Sequence, residues 1–203
     1  MEIKDVLSSI LTQQNVQQLS QQAGIDDPQK TQMATTAIFD TLLGALSQNA
    51  KSEQGAQGIY QALKKDHDGS ILNDPMGFLM GLNQPDNMRM LNGSGILGHL
   101  LGSNMGNVAG MISKATGLDQ RTVQRLMPMI APLVMGAAGK MMREKGSIEQ
   151  AEPQQVRNML DQTVEKEKKG NPMMDLAAKF LDQDNDGSVV DDLFGMASKF
   201  LRK

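Results

Sequence analysis

Hydrophobic positions recur along most of the chain with the spacing of α-helices. In the segment 126–142, apolar residues follow the i, i+3, i+4 spacing of one helix face, and the opposite face is apolar too. A helix that is apolar all round is a buried one, so this segment predicts a central core helix. Asp119 is predicted to cap it, and Pro128 and Pro132 are expected to kink it, or Pro128 to lie near its start. No segment alternates like a strand, so the predicted fold class is all-α, with about ten helices.

Similar segments occur twice in the chain. Two of them, beginning at Asn15 and Asn107, read Asn-Val, a helical stretch, Gly, an aliphatic residue and then Asp. In each half a long apolar segment follows, then a polar helix, then an Asp-rich loop. We therefore predict a tandem duplication, with a first repeat at 1–82, a linker at 83–95 and a second repeat at 96–203. The apolar segments are 33–46 and 126–138, and the polar helices lie near 52–65 and 152–169.

Composition narrows the class of protein further. The 203 residues include 17 Met but no Trp and no Cys, so the core rests on aliphatic residues and Met, and disulfides and thiolate metal sites are excluded. The net charge of −3 argues against nucleic-acid binding, because phosphate contacts need a basic face. The N-terminus lacks the apolar region of a signal peptide, and the most apolar stretch, 126–142, is shorter than the roughly 20 residues of a membrane span. We expect a cytoplasmic protein.

Several short motifs follow one another within 93–141. They are GILGH at 95–99, Val108, GL at 117–118, LMP at 126–128 and APLVMG at 131–136. In order and spacing they resemble the YidB-like bacterial family, the domain of unknown function 937, with a YidB-like core at 93–145. The resemblance implies an all-helical fold that has been likened to homeodomain-type packing. It implies no established activity.

The Asp-rich loop of the second half, DQDNDGSVVDD, occupies residues 182–192. Ca²⁺ takes about six to eight oxygen ligands, and carboxylates at alternate loop positions converge on one point while a Gly permits the turn. The loop resembles those of EF-hand and dockerin proteins, and with its flanks it predicts an EF-hand-like helix–loop–helix at 172–203, although Leu193 stands where an EF-hand has its closing Glu. The alternative is an acidic turn that caps the last helix. The predicted ligands are Asp182, Asp184, Asp186, the carbonyl of Ser188, Asp191 and Asp192.

The Asp-rich loop of the first half, KDHDGSILND at 65–74, repeats this pattern less completely. Lys64, just before this segment, stands where the second loop has Asp182 and cannot bind a cation, so the loop is expected to bind Ca²⁺ more weakly or to be an Asp-Gly turn. His67 lies inside it and is expected to be exposed. The predicted ligands are Asp66, Asp68, the carbonyl of Ser70 and Asp74.

The function predicted from these features is Ca²⁺ binding with a mainly structural effect. The alternative is a module that binds a protein partner through its apolar helical surface, without a metal. A weaker alternative is DNA binding by a helix-turn-helix at 113–127, with Arg121, Gln124 and Arg125 facing a groove. The protein is not expected to be an enzyme, because no acid, base and nucleophile form a recognisable set, and His99 is expected to be structural.

Overall fold

The computed structural model describes residues 3–79, 88–146, 148 and 150–168. All regular structure within these residues is helical, which confirms the predicted all-α class. The α-helices are α1 (Ile3–Ile10), α2 (Gln13–Ala23), α3 (Pro28–Ala50), α4 (Glu53–Lys65), α5 (Pro75–Leu79), α6 (Gly93–Leu101), α7 (Met105–Thr116), α8 (Gln120–Lys145) and α9 (Pro153–Lys168), with 3₁₀ turns at Ser70–Asn73, Met88–Leu91 and Gly102–Asn104.

The two longest helices of the described chain, α3 and α8, pack against each other at its centre. Helix α3 also contacts α2, α4, α6, α7 and α9, and α8 also contacts α2, α4, α6, α7 and α9. The apolar segment 126–142 lies within α8 and is largely buried, as predicted. The apolar segment 33–46 lies within α3 and is largely buried as well. Buried residues from both halves form one hydrophobic cluster, so the two halves share a core.

Side chains that cap helix N-termini set where several helices begin. The Oδ1 atom of Asp119 accepts a hydrogen bond from the N–H of Thr122 at 2.9 Å, which confirms the predicted cap of α8. Asp27 caps α3 in the same way, with its Oδ1 atom 2.9 Å from the nitrogen of Gln29. Ser52 caps α4 by accepting from the N–H of Gly55 at 3.0 Å.

Helix α8 continues through both of its prolines. It begins at Gln120, so the interpretation that Pro128 lies near its start is wrong. Pro132 has no N–H to donate to the carbonyl of Pro128, one turn earlier. Gly93, the first residue of α6, packs directly against that carbonyl, where any side chain would overlap it. The second proline therefore leaves a backbone surface on which α6 docks.

The start of α6 at Gly93 makes the last residues of the predicted 83–95 linker helical. The polar helices predicted near 52–65 and 152–169 correspond to α4 and α9. The helix–loop–helix predicted at 172–203 lies outside the described residues. Among the described helices, none combines the length and the apolar character needed to cross a membrane.

Candidate functional site

An open cleft of about 680 Å³ lies between α4 and α6. The two helices run in opposite directions along it. At one end, Asn49, just before α4, donates from Nδ2 to the carbonyl of Leu100, the penultimate residue of α6, at 3.1 Å. Near the other end, Ser70, after α4, contacts the sulfur of Met90, before α6, through its Oγ atom at 3.9 Å. A volume of this size falls within the roughly 300–1,000 Å³ typical of small-molecule sites.

The floor of the cleft is aliphatic. Leu46 from α3, Ile59 from α4 and Met135 from α8 line it and are buried, with 0%, 7% and 4% of their surface exposed. Half-buried apolar side chains from α4 and α6 complete the floor. These are Ala62, Ile96 and Leu100. None of the described lining residues is Phe, Tyr or Trp, so the cleft offers a ligand aliphatic contact without aromatic stacking.

Polar groups line both ends of the cleft, and each end holds one of the two histidines of the chain. The end beside the start of α4, called the His99 end, is lined by the polar residues Asn49, Ser52, Gln54 and His99. The end beside the start of α6, called the His67 end, is lined by Asp66, His67, Arg89 and Asn92. The cleft thus has an aliphatic middle between two polar ends.

His67 is buried, with 4% of its surface exposed, so the expectation that it is an exposed loop residue is wrong. Among the polar residues that line the cleft within the described chain, it is the one in the buried class. Burial lowers the pKa of its imidazole to about 4, although the nearby carboxylates of Asp66 and Asp68 act in the opposite direction. Its ring is therefore neutral at pH 7. Its Nδ1 atom is buried and has no hydrogen-bond partner within the described part of the chain.

Close packing against α8 explains why His67 is buried. Gly139 packs against the carbonyl oxygen of His67, and a Cβ atom there would overlap that oxygen. One turn earlier, a Cβ atom on Gly136 would overlap the side chain of Ile71, which is fully buried. The glycines of α8 thus let the backbone of 67–71 lie directly on the helix, which carries His67 into the protein.

In the first Asp-rich loop, Asp68 closes a turn, Asp74 caps α5 and Asp66 lines the cleft. The Oδ1 atom of Asp68 accepts from the N–H of Ser70 at 2.9 Å, and that of Asp74 accepts from the N–H of Gly77 at 2.9 Å. Asp66 lines the cleft. Partial burial raises the pKa of Asp68, but hydrogen bonds from Ser70 and the nearby charge of Arg143 outweigh it and hold the pKa below its usual value.

Across the described residues, no three or more His, Cys, Asp or Glu side chains form a group that could hold a metal. Ca²⁺ binding at Asp66, Asp68, Ser70 and Asp74 therefore stays a prediction. The ligands predicted at 182–192 lie outside the described residues, so that site also stays a prediction.

The residues predicted to face DNA lie in the first two turns of α8. Arg121, Gln124 and Arg125 are exposed. The Nη2 atom of Arg125 donates to the Oγ1 atom of Thr122 at 2.8 Å, which ties one guanidinium to the helix surface. DNA binding through these residues therefore stays a prediction.

The fold and the cleft together define an all-helical protein with a shared core and a cleft between α4 and α6. A family model for a bacterial protein of unknown function, DUF937, matches residues 5–141. The match covers well over half of the 203 residues, and the chain belongs to this family. The match extends beyond 93–141, where the motifs are clearest, and includes most of the first half. Comparisons with curated proteins and with solved structures find no match.

Proposed function

We propose that this protein is a binding protein that takes a small ligand into the cleft between α4 and α6. One observation carries the proposal: a cleft of about 680 Å³ combines an aliphatic floor with polar groups at both ends. Small-molecule sites have this composition, since apolar contacts supply most of the affinity and a few polar groups fix the orientation.

The same geometry supports binding more than catalysis. A general base works best when its pKa lies near the working pH. Burial lowers the pKa of His67 to about 4, so it is a weak base at pH 7. The hydroxyl of Ser52 at the His99 end donates to the carbonyl of Asn49 at 3.3 Å and accepts from the N–H of Gly55 at 3.0 Å, so its hydrogen is already engaged.

The cleft also supports this proposal over a module that uses an apolar helical surface. The apolar faces of α3 and α8 are buried in the shared core. In the described part of the chain, the large hydrophobic residues that are exposed are Met33, at 49%, and Met105, at 38%. Outside the cleft, the described part of the chain therefore exposes few large hydrophobic residues.

Two glycines offer a matched test of the cleft. Gly58 lies in α4 and lines the cleft, whereas Gly98 lies in α6 and is not among the lining residues. A Cβ atom at either position would meet nothing within 4 Å, so both sites accept a side chain. Leu is also a better helix former than Gly, and both Leu variants are expected to fold at least as stably as the parent protein.

The experiment measures binding of Nile red, a neutral dye that fluoresces in apolar sites. We expect the Gly58→Leu variant to lose at least tenfold in dye affinity, because the new side chain occupies the cleft, while the Gly98→Leu variant keeps the affinity of the parent. Equal dye binding by all three proteins, or no dye binding by the parent, would overturn the proposal.

We also propose that the fold arose by tandem duplication. Three features support this. The first residues of α2 and α7, Gln13 and Met105, are 92 residues apart, as are those of α3 and α8, Pro28 and Gln120. The helices α2 and α7 both end at a glycine with a φ of +68°, and α3 contacts α7 just as α8 contacts α2. Two variants test this proposal: one carries the α7–α8 turn in place of the α2–α3 turn, and the other carries the reverse replacement. If the proposal is right, at least one variant folds. Two unfolded variants would contradict it.

Ca²⁺ binding at 182–192 is our second proposed function, and the spacing of its carboxylates supports it. Asp182, Asp184 and Asp186 stand at alternate positions before a Gly, as Ca²⁺ loops require. Titration calorimetry of chelator-treated protein should give a Ca²⁺ isotherm that Mg²⁺ does not reproduce and that the Asp184→Ala variant loses. The Asp68→Ala variant serves as the control for the first loop. No heat at millimolar Ca²⁺ would overturn this proposal without affecting the cleft.

A further inference from the structure

The segment that follows α4 lies on α8 through very close contacts. We call residues 67–73, from His67 to the end of the first 3₁₀ turn, the latch. A Cβ atom on Gly139 would overlap the carbonyl oxygen of His67, and a Cβ atom on Gly69 would lie 2.7 Å from the Cβ atom of Lys140. Surfaces packed this closely do not deform continuously, so the latch either stays on α8 or comes away from it.

The latch carries a buried imidazole that has no place for a second proton. His67 is 4% exposed, and its Nδ1 atom is buried without a hydrogen-bond partner in the described part of the chain. An imidazolium donates from both ring nitrogens. Protonation of the packed latch would therefore leave a positive charge and an N–H donor without an acceptor inside the protein, and both are strongly disfavoured there.

Charged groups around His67 offset this penalty only in part. The carboxylates of Asp66 and Asp68 favour the imidazolium, but desolvation has the larger effect and lowers the pKa of His67 to about 4. The cations of the neighbouring elements disfavour another positive charge. The other charged groups beside the latch are Lys64 and Lys65 at the end of α4, Asp74, Arg89 before α6, Lys140 and Arg143 in α8, and Asp5 in α1, the helix that contacts the Ser70–Asn73 turn.

Release of the latch from α8 relieves the penalty, because the imidazole regains water. The latch forms local hydrogen bonds, from the N–H of Ser70 to Asp68 at 2.9 Å and from the N–H of Leu72 to the carbonyl of Gly69 at 3.1 Å. Ile71 is fully buried and holds the latch closed at neutral pH. Release thus breaks one short turn and exposes one fully buried aliphatic side chain, while the core between α3 and α8 stays packed.

We infer that residues 67–73 form an acid-sensitive latch: protonation of His67 releases them from α8 and opens the His67 end of the cleft. Since the packed imidazole resists protonation, the closed latch is favoured at neutral pH and loses stability as the pH falls. The opening is local, is distinct from unfolding of the whole chain, and needs no ligand in the cleft.

Hydrogen exchange of the latch amides at pH 7 and pH 5 tests this inference, with each rate divided by the intrinsic rate at that pH. The protection of the Ser70 and Leu72 amides should fall about 20-fold on acidification, because the imidazole has its ordinary pKa of 6.5 in the open form and a pKa of about 4 in the closed form. The His67→Gln variant should lose less than about threefold. The control is His99→Gln, altered at an exposed histidine, which should behave like the parent.

Two results would overturn the inference. Equal losses of protection in the parent and in His67→Gln would show that another group controls the latch. Latch amides as strongly protected as those in the middle of α8, at both pH values, would show that the latch opens only when the whole protein unfolds. If His67→Gln already leaves the latch unprotected at pH 7, the His67→Leu variant, which is apolar and does not titrate, gives the same comparison.

Discussion

The backbone of Gly139 in α8 packs directly against the carbonyl oxygen of His67, where any Cβ atom would overlap it. This contact connects the core of the protein to the cleft. It holds the segment after α4 on the central helix and thereby keeps the imidazole of His67 buried at one end of the cleft. A glycine inside a long apolar helix is consequently part of how the candidate site is built.

Replacing Gly139 with Ala should destabilise the protein. The added methyl group must push the 67–71 segment away from α8, and overpacking of this kind costs about 1–3 kcal/mol. Urea denaturation measures the change in the free energy of unfolding, and Nile red affinity should fall in parallel because the His67 end shifts. The control is Gly98→Ala, an open helical position, which should gain about 0.5–1 kcal/mol. A Gly139→Ala protein as stable as the control would contradict the packing.

The buried imidazole of His67 should make stability fall as the pH falls. Its pKa is about 4 in the folded protein, below its ordinary value of 6.5. Between these values the unfolded chain binds a proton that the folded one does not, so protonation favours unfolding. The full stabilising contribution is present above pH 6.5, and about 2 kcal/mol of it should be lost between pH 7 and pH 5.

Urea denaturation at pH 7 and pH 5 checks this dependence. Carboxylates also begin to titrate over part of this range, so the comparison is made between variants. His67→Gln should lose markedly less stability on acidification than the parent protein, whereas His99→Gln should behave like the parent. Identical losses in all three proteins would show that His67 does not titrate as its burial requires.

A hydrogen bond joins the two halves of the chain between α3 and α9. The Oγ atom of Ser47, which is 6% exposed, donates to the Oδ1 atom of Asp161 at 2.7 Å. Ser47→Ala should lower the free energy of unfolding by about 1–2 kcal/mol, since it leaves a partly buried carboxylate without this donor. Ser94→Ala, at an exposed position of α6, is the control and should change stability little. Equal stabilities by urea denaturation would refute the expected contribution.

The caps of the two central helices should contribute alike. Asp27 and Asp119 each accept a hydrogen bond from a backbone N–H of the first turn, in α3 and in α8 respectively. Replacing either with Ala should lower the Tm by about 2–4 °C in calorimetry, because an orphan N–H loses its partner. Asp26→Ala, the exposed neighbour, should leave the Tm unchanged. A large effect at one cap and none at the other would argue against their equivalence.

Several elements could be predicted because their signals are local. The segment 126–142 is apolar on all sides, which predicted a buried helix, and most of this segment is buried in α8. Asp119 follows a Gly-Leu pair and precedes a periodic segment, and it caps the helix as the sequence indicates. The polar helices near 52–65 and 152–169 matched α4 and α9 closely, since their boundaries carry caps and breakers.

The cleft and the burial of His67 had no such local signal. Polar neighbours in the sequence, Asp66 and Asp68, indicate an exposed turn, and the residues that bury His67 lie in α8, about seventy positions away. Gly136 and Gly139, one turn apart in an apolar helix, were the one available sign that another backbone comes close. Which segment that is depends on how the helices pack.

The sequence by itself determined the helical class, the cap of α8 and the family, because periodicity, caps and motifs are properties of neighbouring residues. Only the tertiary structure decided that the two halves share one core, that α4 and α6 border a cleft, and that both histidines line it. Those relationships follow from burying the apolar faces of α3 and α8 together, and that packing joins residues far apart in the chain.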